Sequence, residues 1–398
     1  MRRAFQCFLG ILVFTLPTAG LGEDFKPQVC ATAVEYRGAP LHAAISAETL
    51  ATVRHDLDGT IDASLSARLD QVVDWILKNT KAPGISVAVG IPGEGTWSAS
   101  RGLALIDPPT PLAETPHLHW ASAGKVMTAA VVMQLIDEGK LAYTDPLAKW
   151  FPDFPNASAI TIDHLLTHTN GIFSFNADLP FRKQRRYHSP EECLKIAARH
   201  GCVCCPGEYW HYSNTGYVLL GLIVERVEVG PLDEVFRKRI IEPLGLRETI
   251  AMAPLQAPVS LAVGHVDGKR DPDFEPTTPF GAGIVAGSAR DMLLFWNAYL
   301  QGRLVNEATV RDAFSRLYPM YDPNTYYGRG VMLYDFADQS GQRHTWLGHS
   351  GGTPGLRALM VYDVEAGVYV TVAMNAQVSA EAAANKLLGV IQEQRAAR

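Results

Sequence analysis

A serine and a lysine stand three residues apart where a largely apolar stretch begins. Ser122 precedes Lys125, and residues 126–136 then read as a buried helix. Because positions i and i+3 share a helix face, the Lys125 amine can lie beside the Ser122 hydroxyl. A buried amine that loses its charge can accept the serine proton, so Ser122 is a candidate nucleophile. Taken alone, the same serine could simply be a helix N-cap.

Two later clusters supply groups that acyl transfer also needs. Tyr212 and Asn214 precede a second apolar helix, and a glycine-rich run follows near the end of the chain. The helix that begins near Ser122 offers a backbone N–H to a developing oxyanion. The candidate substrate-binding residues are Asn214, His349, Ser350, Gly351 and Gly352.

The order S-x-x-K, Y-x-N, H-S-G resembles that of the serine β-lactamases and penicillin-binding proteins. Within them it is most similar to the class C β-lactamase and D-alanyl-D-alanine carboxypeptidase branch, which includes esterases and D-aminopeptidases. The resemblance covers roughly Leu69 to Asn375, with characteristic stretches at 83–89, 160–171 and 281–291. The sequence departs from the family pattern at Cys204, where an aromatic residue is usual.

The resemblance implies a role for each catalytic candidate. Ser122 would form the acyl-enzyme, Lys125 would accept or relay its proton, and Tyr212 would share the proton transfer. A phenol beside an ammonium can have a lowered pKa, which would suit Tyr212 to this task. The backbone N–H groups of Ser122 and Gly352 would form the oxyanion hole, and Gly351 would let its strand approach the substrate closely.

The resemblance also bears on the substrate. Asn214 would hold a substrate amide or the Lys125 amine. His349 stands where β-lactamases usually carry lysine, and an unperturbed histidine is largely neutral above a pH of about 6.5. Binding of a substrate carboxylate should therefore be weak or pH-dependent, which favours a D-peptidase or an esterase. A true class C-type β-lactamase is one alternative, and a non-catalytic cell-wall or peptide-binding protein that kept the fold is another.

Hydrophobic periodicity indicates which elements position these residues. We predict a helix over 61–77, strands over 85–89 and 96–103, three strands over 345–349, 356–363 and 367–374, and a closing helix over 380–394. The predicted fold class is α/β (α+β), and the resemblance makes it β-lactamase/transpeptidase-like. An antiparallel sheet flanked by helices, from 23–105 and 270–398, would receive an inserted all-helical domain at 106–269. Helices in that insertion are predicted near 123–138, 160–167, 190–199, 216–228 and 231–240.

Composition limits the partners. The 398 residues are 47% hydrophobic and 19% charged, which is typical of a folded globular protein. The net charge is −6, and the 35 lysines and arginines form no long basic run, so no nucleic-acid partner is expected. The expected partner is a small-molecule or peptide substrate with a carbonyl to be acylated onto Ser122. No cofactor and no metal are expected, and the oligomeric state is not predicted.

The amino terminus is typical of an export signal. Arg2 and Arg3 precede an apolar run over 4–16 and a group of small residues, which predicts a signal peptide at 1–22. The mature protein would be periplasmic or secreted. No membrane attachment is expected beyond a possible uncleaved N-terminal anchor.

Cysteine number favours one disulfide in an exported chain. Removal of the signal leaves Cys30, Cys193, Cys202, Cys204 and Cys205. We predict a short loop closed by Cys193 and one of the three cysteines at 202, 204 and 205. A zinc site with His200 and His211 is the alternative, but the cluster lacks two C-x-x-C halves. His164 and His168 have the spacing of a zinc pair, yet no glutamate follows His164.

Overall fold

The computed structural model describes residues 26–184, 186–271, 275–338 and 341–397. These residues form the following strands: β1 (Gly84–Ile91), β2 (Gly95–Leu105), β3 (Thr110–Pro111), β4 (Leu118–His119), β5 (Thr249–Ala251), β6 (His265–Val266), β7 (Lys269–Arg270), β8 (Val285–Gly287), β9 (Tyr318–Pro319), β10 (Thr325–Tyr327), β11 (Met332–Ala337), β12 (Arg343–Thr353), β13 (Leu356–Asp363) and β14 (Val368–Met374). Across the described residues, the main sheet is antiparallel with nine strands in the order β3-β2-β1-β14-β13-β12-β11-β10-β9.

The two ends of the chain share this sheet. Strand β1 lies between β2 and β14, and Ile85 is opposite both Arg101 on β2 and Met374 on β14. The prediction that one antiparallel sheet unites the two ends is therefore confirmed.

Helices cover both faces of the sheet. The helices in the described residues are α1 (Ala47–Ala51), α2 (Ala63–Thr80), α3 (Lys125–Asp137), α4 (Ile162–Leu166), α5 (Leu179–Lys183), α6 (Pro190–His200), α7 (Asn214–Glu228), α8 (Leu232–Phe236), α9 (Glu242–Leu244), α10 (Ala289–Leu300), α11 (Glu307–Ala313) and α12 (Ala380–Ala396). Side chains alternate along a strand, so Val87 and Val89 face α2 and α12, whereas Ala88 belongs to the core that contains α10. The predicted α/β fold class is confirmed.

The inserted stretch is mostly helical rather than wholly so. Helices α3 and α7 pack together in its core, and most of their residues are buried. Strands β4 and β5 also lie within 106–269, and both pair with β8 in a separate three-stranded sheet. The predicted helix near 231–240 is α8, which continues through a π-helical turn at Arg237–Ile241 into α9. The boundaries at 105/106 and 269/270 remain a prediction.

The disulfide prediction was wrong. Cys30 is bonded to Cys205, and Cys193 is a buried free thiol. The reason is that an amino-terminal segment runs beside the loop that contains Cys205. Three of its backbone N–H groups, from Gln28 to Arg37, donate to carbonyl oxygens of residues 202–208, which brings Cys30 next to Cys205. Because its sulfur is bonded to Cys30, Cys205 is not available as a ligand in the alternative zinc site.

The amino-terminal predictions lie outside the described residues. Residues 1–25, which include the predicted signal peptide at 1–22, are not described. Among the residues that are described, no helix has both the length and the apolar character that a membrane span requires.

Candidate active site

Ser122 lies in a tight turn at the amino end of α3. The turn is a 3₁₀ helix at Ala121–Gly124 that runs directly into Lys125. His119 holds this turn in place, because its Nδ1 accepts a hydrogen bond from the N–H of Ala121 at 2.9 Å. His119 is buried, while Ser122 is half-buried and can meet a substrate. The histidine therefore has a structural role.

The Lys125 amine meets Ser122 inside the protein. Nζ lies 3.1 Å from Ser122 Oγ and donates to Ala282 O at 2.9 Å. Lys125 is fully buried, and burial lowers the pKa of its amine well below the usual value. The bond to Ala282 uses one N–H of the amine, so in its uncharged form the amine would still have a lone pair for the serine proton. The sequence thus predicted a contact that the structure contains.

Tyr212 forms a group of three side chains with Ser122 and Lys125. The centre of its ring is 5.1 Å from Lys125 Nζ. Burial raises the pKa of the phenol, while a hydrogen bond with Ser122 acts in the opposite direction. The expectation that an ammonium would lower this pKa was wrong, because burial raises it instead. A protonated phenol therefore lies beside an amine whose pKa is lowered by burial.

Strand β12 presents an open edge to Ser122. Strand β11 pairs with β12 from Arg343 to Gly348, whereas β13 pairs with it as far as Thr353. Among the described residues, no strand pairs with 349–353 on the side that faces away from β13. A β-carbon at Gly351 would lie 2.3 Å from Trp120 O, so only glycine allows this approach to the serine turn.

His349 is enclosed within the protein rather than exposed at the strand edge. Its ring is buried, Nδ1 donates to Ser350 O at 2.6 Å, and Nε2 lies 3.1 Å from Tyr327 Oη. Burial lowers the pKa of His349 to about 3, and a protonated Lys125 would act in the same direction. His349 therefore remains neutral in mildly acidic solution and cannot supply a cation for a carboxylate there. Tyr327, which contacts His349, belongs to none of the sequence motifs, so the sequence analysis did not identify it.

Ser350 points to the opposite face of the strand from His349. Its backbone N–H lies 3.5 Å and its hydroxyl 3.8 Å from the sulfur of Met332. The side chain is half-buried next to the open edge. The thioether of Met332 is thus one of its neighbours.

Asn214 contacts a second asparagine instead of Lys125. Its Nδ2 donates to Asn176 Oδ1 at 3.1 Å, and its backbone N–H donates to Ser174 Oγ at 2.9 Å. Asn214 was predicted to hold either a substrate amide or the Lys125 amine. Among the described residues, no hydrogen bond joins it to that amine. Asn176 was missed by the sequence analysis because it lies in an irregular segment without a recognised motif.

Gly352 occupies the position predicted for the second oxyanion donor. It is half-buried, and a β-carbon there would meet the side chain of Arg357 on β13 at 3.0 Å. It follows Gly351, which packs against the Ser122 turn. The structure therefore brings Ser122, Lys125 and Tyr212 together and places Gly351 against the Ser122 turn.

Comparison with known proteins defines the class to which this arrangement belongs. The chain belongs to the Beta-lactamase family, whose model matches residues 69–393. It is a serine hydrolase of this β-lactamase-related superfamily, as the sequence resemblance predicted.

Individual relatives cover most of the chain. The putative penicillin-binding protein PbpX of Bacillus subtilis is 25% identical over 308 residues, which are 72% of this chain and 76% of that protein. Esterase EstB of Burkholderia gladioli is 30% identical over 267 residues, which are 60% of this chain and 66% of the esterase. The D-amino acid amidase from Ochrobactrum anthropi SV3, solved with L-phenylalanine amide, is 26% identical with a TM-score of 0.75. That match covers 84% of this chain and 100% of the amidase.

Proposed function

We propose that the protein hydrolyses an amide or ester bond through an acyl-enzyme on Ser122. The observation that carries this proposal is the buried Lys125 amine 3.1 Å from the serine hydroxyl. An uncharged amine at that distance can take the serine proton as Oγ attacks a carbonyl carbon. Lys125 is thus the general base of acylation.

Tyr212 carries the proton to the leaving group. Its phenol is protonated at rest, so it gives its own proton to the departing nitrogen or oxygen and is reprotonated through Lys125. The backbone N–H groups of Ser122 and Gly352 stabilise the oxyanion that forms on the substrate carbonyl. Water then attacks the acyl-enzyme, with the same groups moving the proton in reverse.

The substrate class is inferred from the uncharged side chain at position 349. His349 is uncharged, and Ser350 lies beside the thioether of Met332. This lining favours a substrate without a carboxylate at that position, such as a D-amino-acid amide or an ester. Relatives with esterase and D-amino acid amidase activity in their names support the same choice. Asn214 is then placed to bind the acyl group through its amide.

A covalent probe and a substrate panel test this proposal. A fluorophosphonate should add mass to the wild-type protein and leave Ser122→Ala unlabelled. Purified enzyme should turn over p-nitrophenyl esters and D-amino-acid amides faster than nitrocefin. Efficient cephalosporin hydrolysis with no action on esters or D-alanyl peptides would instead support the class C-type β-lactamase. Absence of both labelling and turnover would support the peptide-binding alternative.

We propose that the chain is exported from the cytoplasm. The signal-like pattern at 1–22 supports it, and so does the Cys30–Cys205 disulfide, since such bonds persist in oxidising compartments. Fractionation of the producing cells, followed by sequencing of the mature amino terminus, tests this proposal. Recovery of uncleaved protein in the cytoplasm would contradict it.

A further inference from the structure

The residues around His168 run beside the loop that leads to Tyr212. Backbone hydrogen bonds join residues 168–171 to residues 203–211 at three points. The last of them runs from His211 N to His168 O at 2.8 Å. His168 therefore lies next to the end of this loop, where Tyr212 begins the catalytic segment.

His168 holds the residues on both sides of Tyr212. Its carbonyl oxygen accepts from His211 N, and its Nδ1 accepts from Ser213 N at 3.2 Å. Its ring packs against that of Tyr212 with centres 4.1 Å apart and planes inclined by 35°. Three separate contacts from one residue thus restrain the position of the phenol.

The hydrogen bond from Ser213 determines the protonation state of the imidazole. Nδ1 must keep its lone pair to accept this bond, so the neutral ring carries its proton on Nε2. Burial holds the pKa of His168 well below the usual value, and protonation of Lys125 or His349 would lower it further. The Nε2 atom has no hydrogen-bond partner among the described residues. An apolar ring would avoid that cost but would lose the acceptor for Ser213.

The backbone at His168 also restricts the choice of residue. Its φ is 59°, in the left-handed region, where asparagine, aspartate and histidine are enriched over other non-glycine residues. Asparagine can adopt this conformation and can place an amide oxygen near the site of Nδ1. Phenylalanine keeps an aromatic ring but offers no acceptor. These two substitutions separate the hydrogen bond from the ring.

We propose that His168 is the positioning residue of Tyr212, which it holds in the orientation for proton transfer by its neutral Nδ1, its carbonyl oxygen and its ring. The proposal rests on the role of Tyr212 in the proposed function. His168 acts only through the tyrosine and does not touch the reacting atoms. Its loss should lower kcat while KM for a small ester changes little.

Kinetics of two variants test the proposal. His168→Phe should reduce kcat by about 10- to 100-fold, because a small misplacement of a catalytic group costs that much. His168→Asn keeps an acceptor for Ser213 but loses the ring, so its kcat should fall less than that of His168→Phe. Leu388→Ala, which removes a buried side chain from α12, is the control for lost stability and should leave kcat unchanged. Equal kcat losses in the Phe and Asn variants would overturn the proposal.

Two further measurements separate the possible failures. Tyr212→Phe must itself abolish most acylation; if it does not, the proposed role of Tyr212 fails. If Tyr212→Phe is inactive but His168→Phe acylates at the wild-type rate, only the role of His168 fails. Ring ¹⁵N chemical shifts of wild-type His168 require no folded variant. They should show an unprotonated Nδ1 and a protonated Nε2 at pH 7, and a charged ring or the opposite tautomer would refute the proposal.

Discussion

Gly351 touches the backbone of Ser122 so closely that a β-carbon at residue 351 would lie 2.8 Å from Ser122 N. Nonbonded carbon and nitrogen atoms do not approach to this distance without displacement. The strand that carries the substrate edge and the turn that carries the nucleophile are therefore in direct backbone contact.

Gly351→Ala should reduce kcat/KM for ester hydrolysis by about 10²-fold or more, because the added methyl group must push the serine turn away. The matched control is Gly389→Ala in α12, where a β-carbon would meet nothing within 4 Å. The control should keep full activity and gain about 0.5–1 kcal/mol of stability, since alanine is the better helix former. Equal kcat/KM values for the two variants would contradict this prediction.

Lys125→Met should abolish acylation while the fold remains. Methionine fills most of the buried volume but has no proton acceptor, so the acylation rate should fall by about 10²- to 10⁴-fold. The burst of p-nitrophenol in the first turnover measures this step, and circular dichroism checks the fold. A burst of normal size and rate would show that another group activates Ser122.

The pH dependence of acylation should follow the Lys125 amine. The neutral amine is the active form, so kcat/KM should fall as the pH decreases through the pKa of Lys125. Because burial places that pKa well below the ordinary lysine value, the enzyme should already be fully active at pH values far below 10.5. Activity that appears only near pH 10 would show that the amine is charged at rest.

Stability should decrease in mild acid because several histidines are buried in the neutral form. Burial lowers the pKa of His119 to about 4 and that of His349 to about 3. The unfolded chain binds protons at these residues below a pH of about 6.5, whereas the folded protein does not, so acid favours unfolding. Each such histidine should cost about 1.4 kcal/mol per pH unit below that pH. Urea unfolding between pH 6.5 and 5 measures the slope, and His119→Gln should make it shallower.

The disulfide should contribute to stability. The double variant Cys30→Ser/Cys205→Ser should lose about 2–5 kcal/mol of unfolding free energy, because the bond closes a loop between residues far apart in the chain. Reductant should destabilise wild-type protein by a similar amount and should not affect the double variant. Cys193→Ala, which removes a free thiol, should retain the response to reductant. Thermal unfolding with and without reductant provides the comparison.

Sequence reasoning succeeded where local pattern decides the structure. The apolar spacing that predicted a helix over 61–77 corresponds to α2 at Ala63–Thr80, and the strand predicted at 356–363 is β13 with the same bounds. The proximity of Ser122 and Lys125 was also local, since both belong to adjacent turns.

The features that sequence reasoning missed depend on contacts between distant segments. Cys30 meets Cys205 only because the amino-terminal segment packs along another loop. The residue type of His349 predicted a change of charge near pH 6.5, whereas burial lowers its pKa to about 3. Asn176 reaches Asn214 through an irregular segment that no periodicity describes. Burial and long-range pairing, which a single sequence does not reveal, determine all three.

The pairing of β1 with β14 sets the order in which the protein can fold. A ribosome releases β1 early, but the strand that covers one of its edges emerges only with residues 368–374. Until then, the edge of a strand whose residues are all buried in the native protein stays exposed, and such edges favour aggregation. The central sheet can therefore close only after residues 368–374 have been synthesised. We expect slow folding and a nascent chain that depends on chaperones.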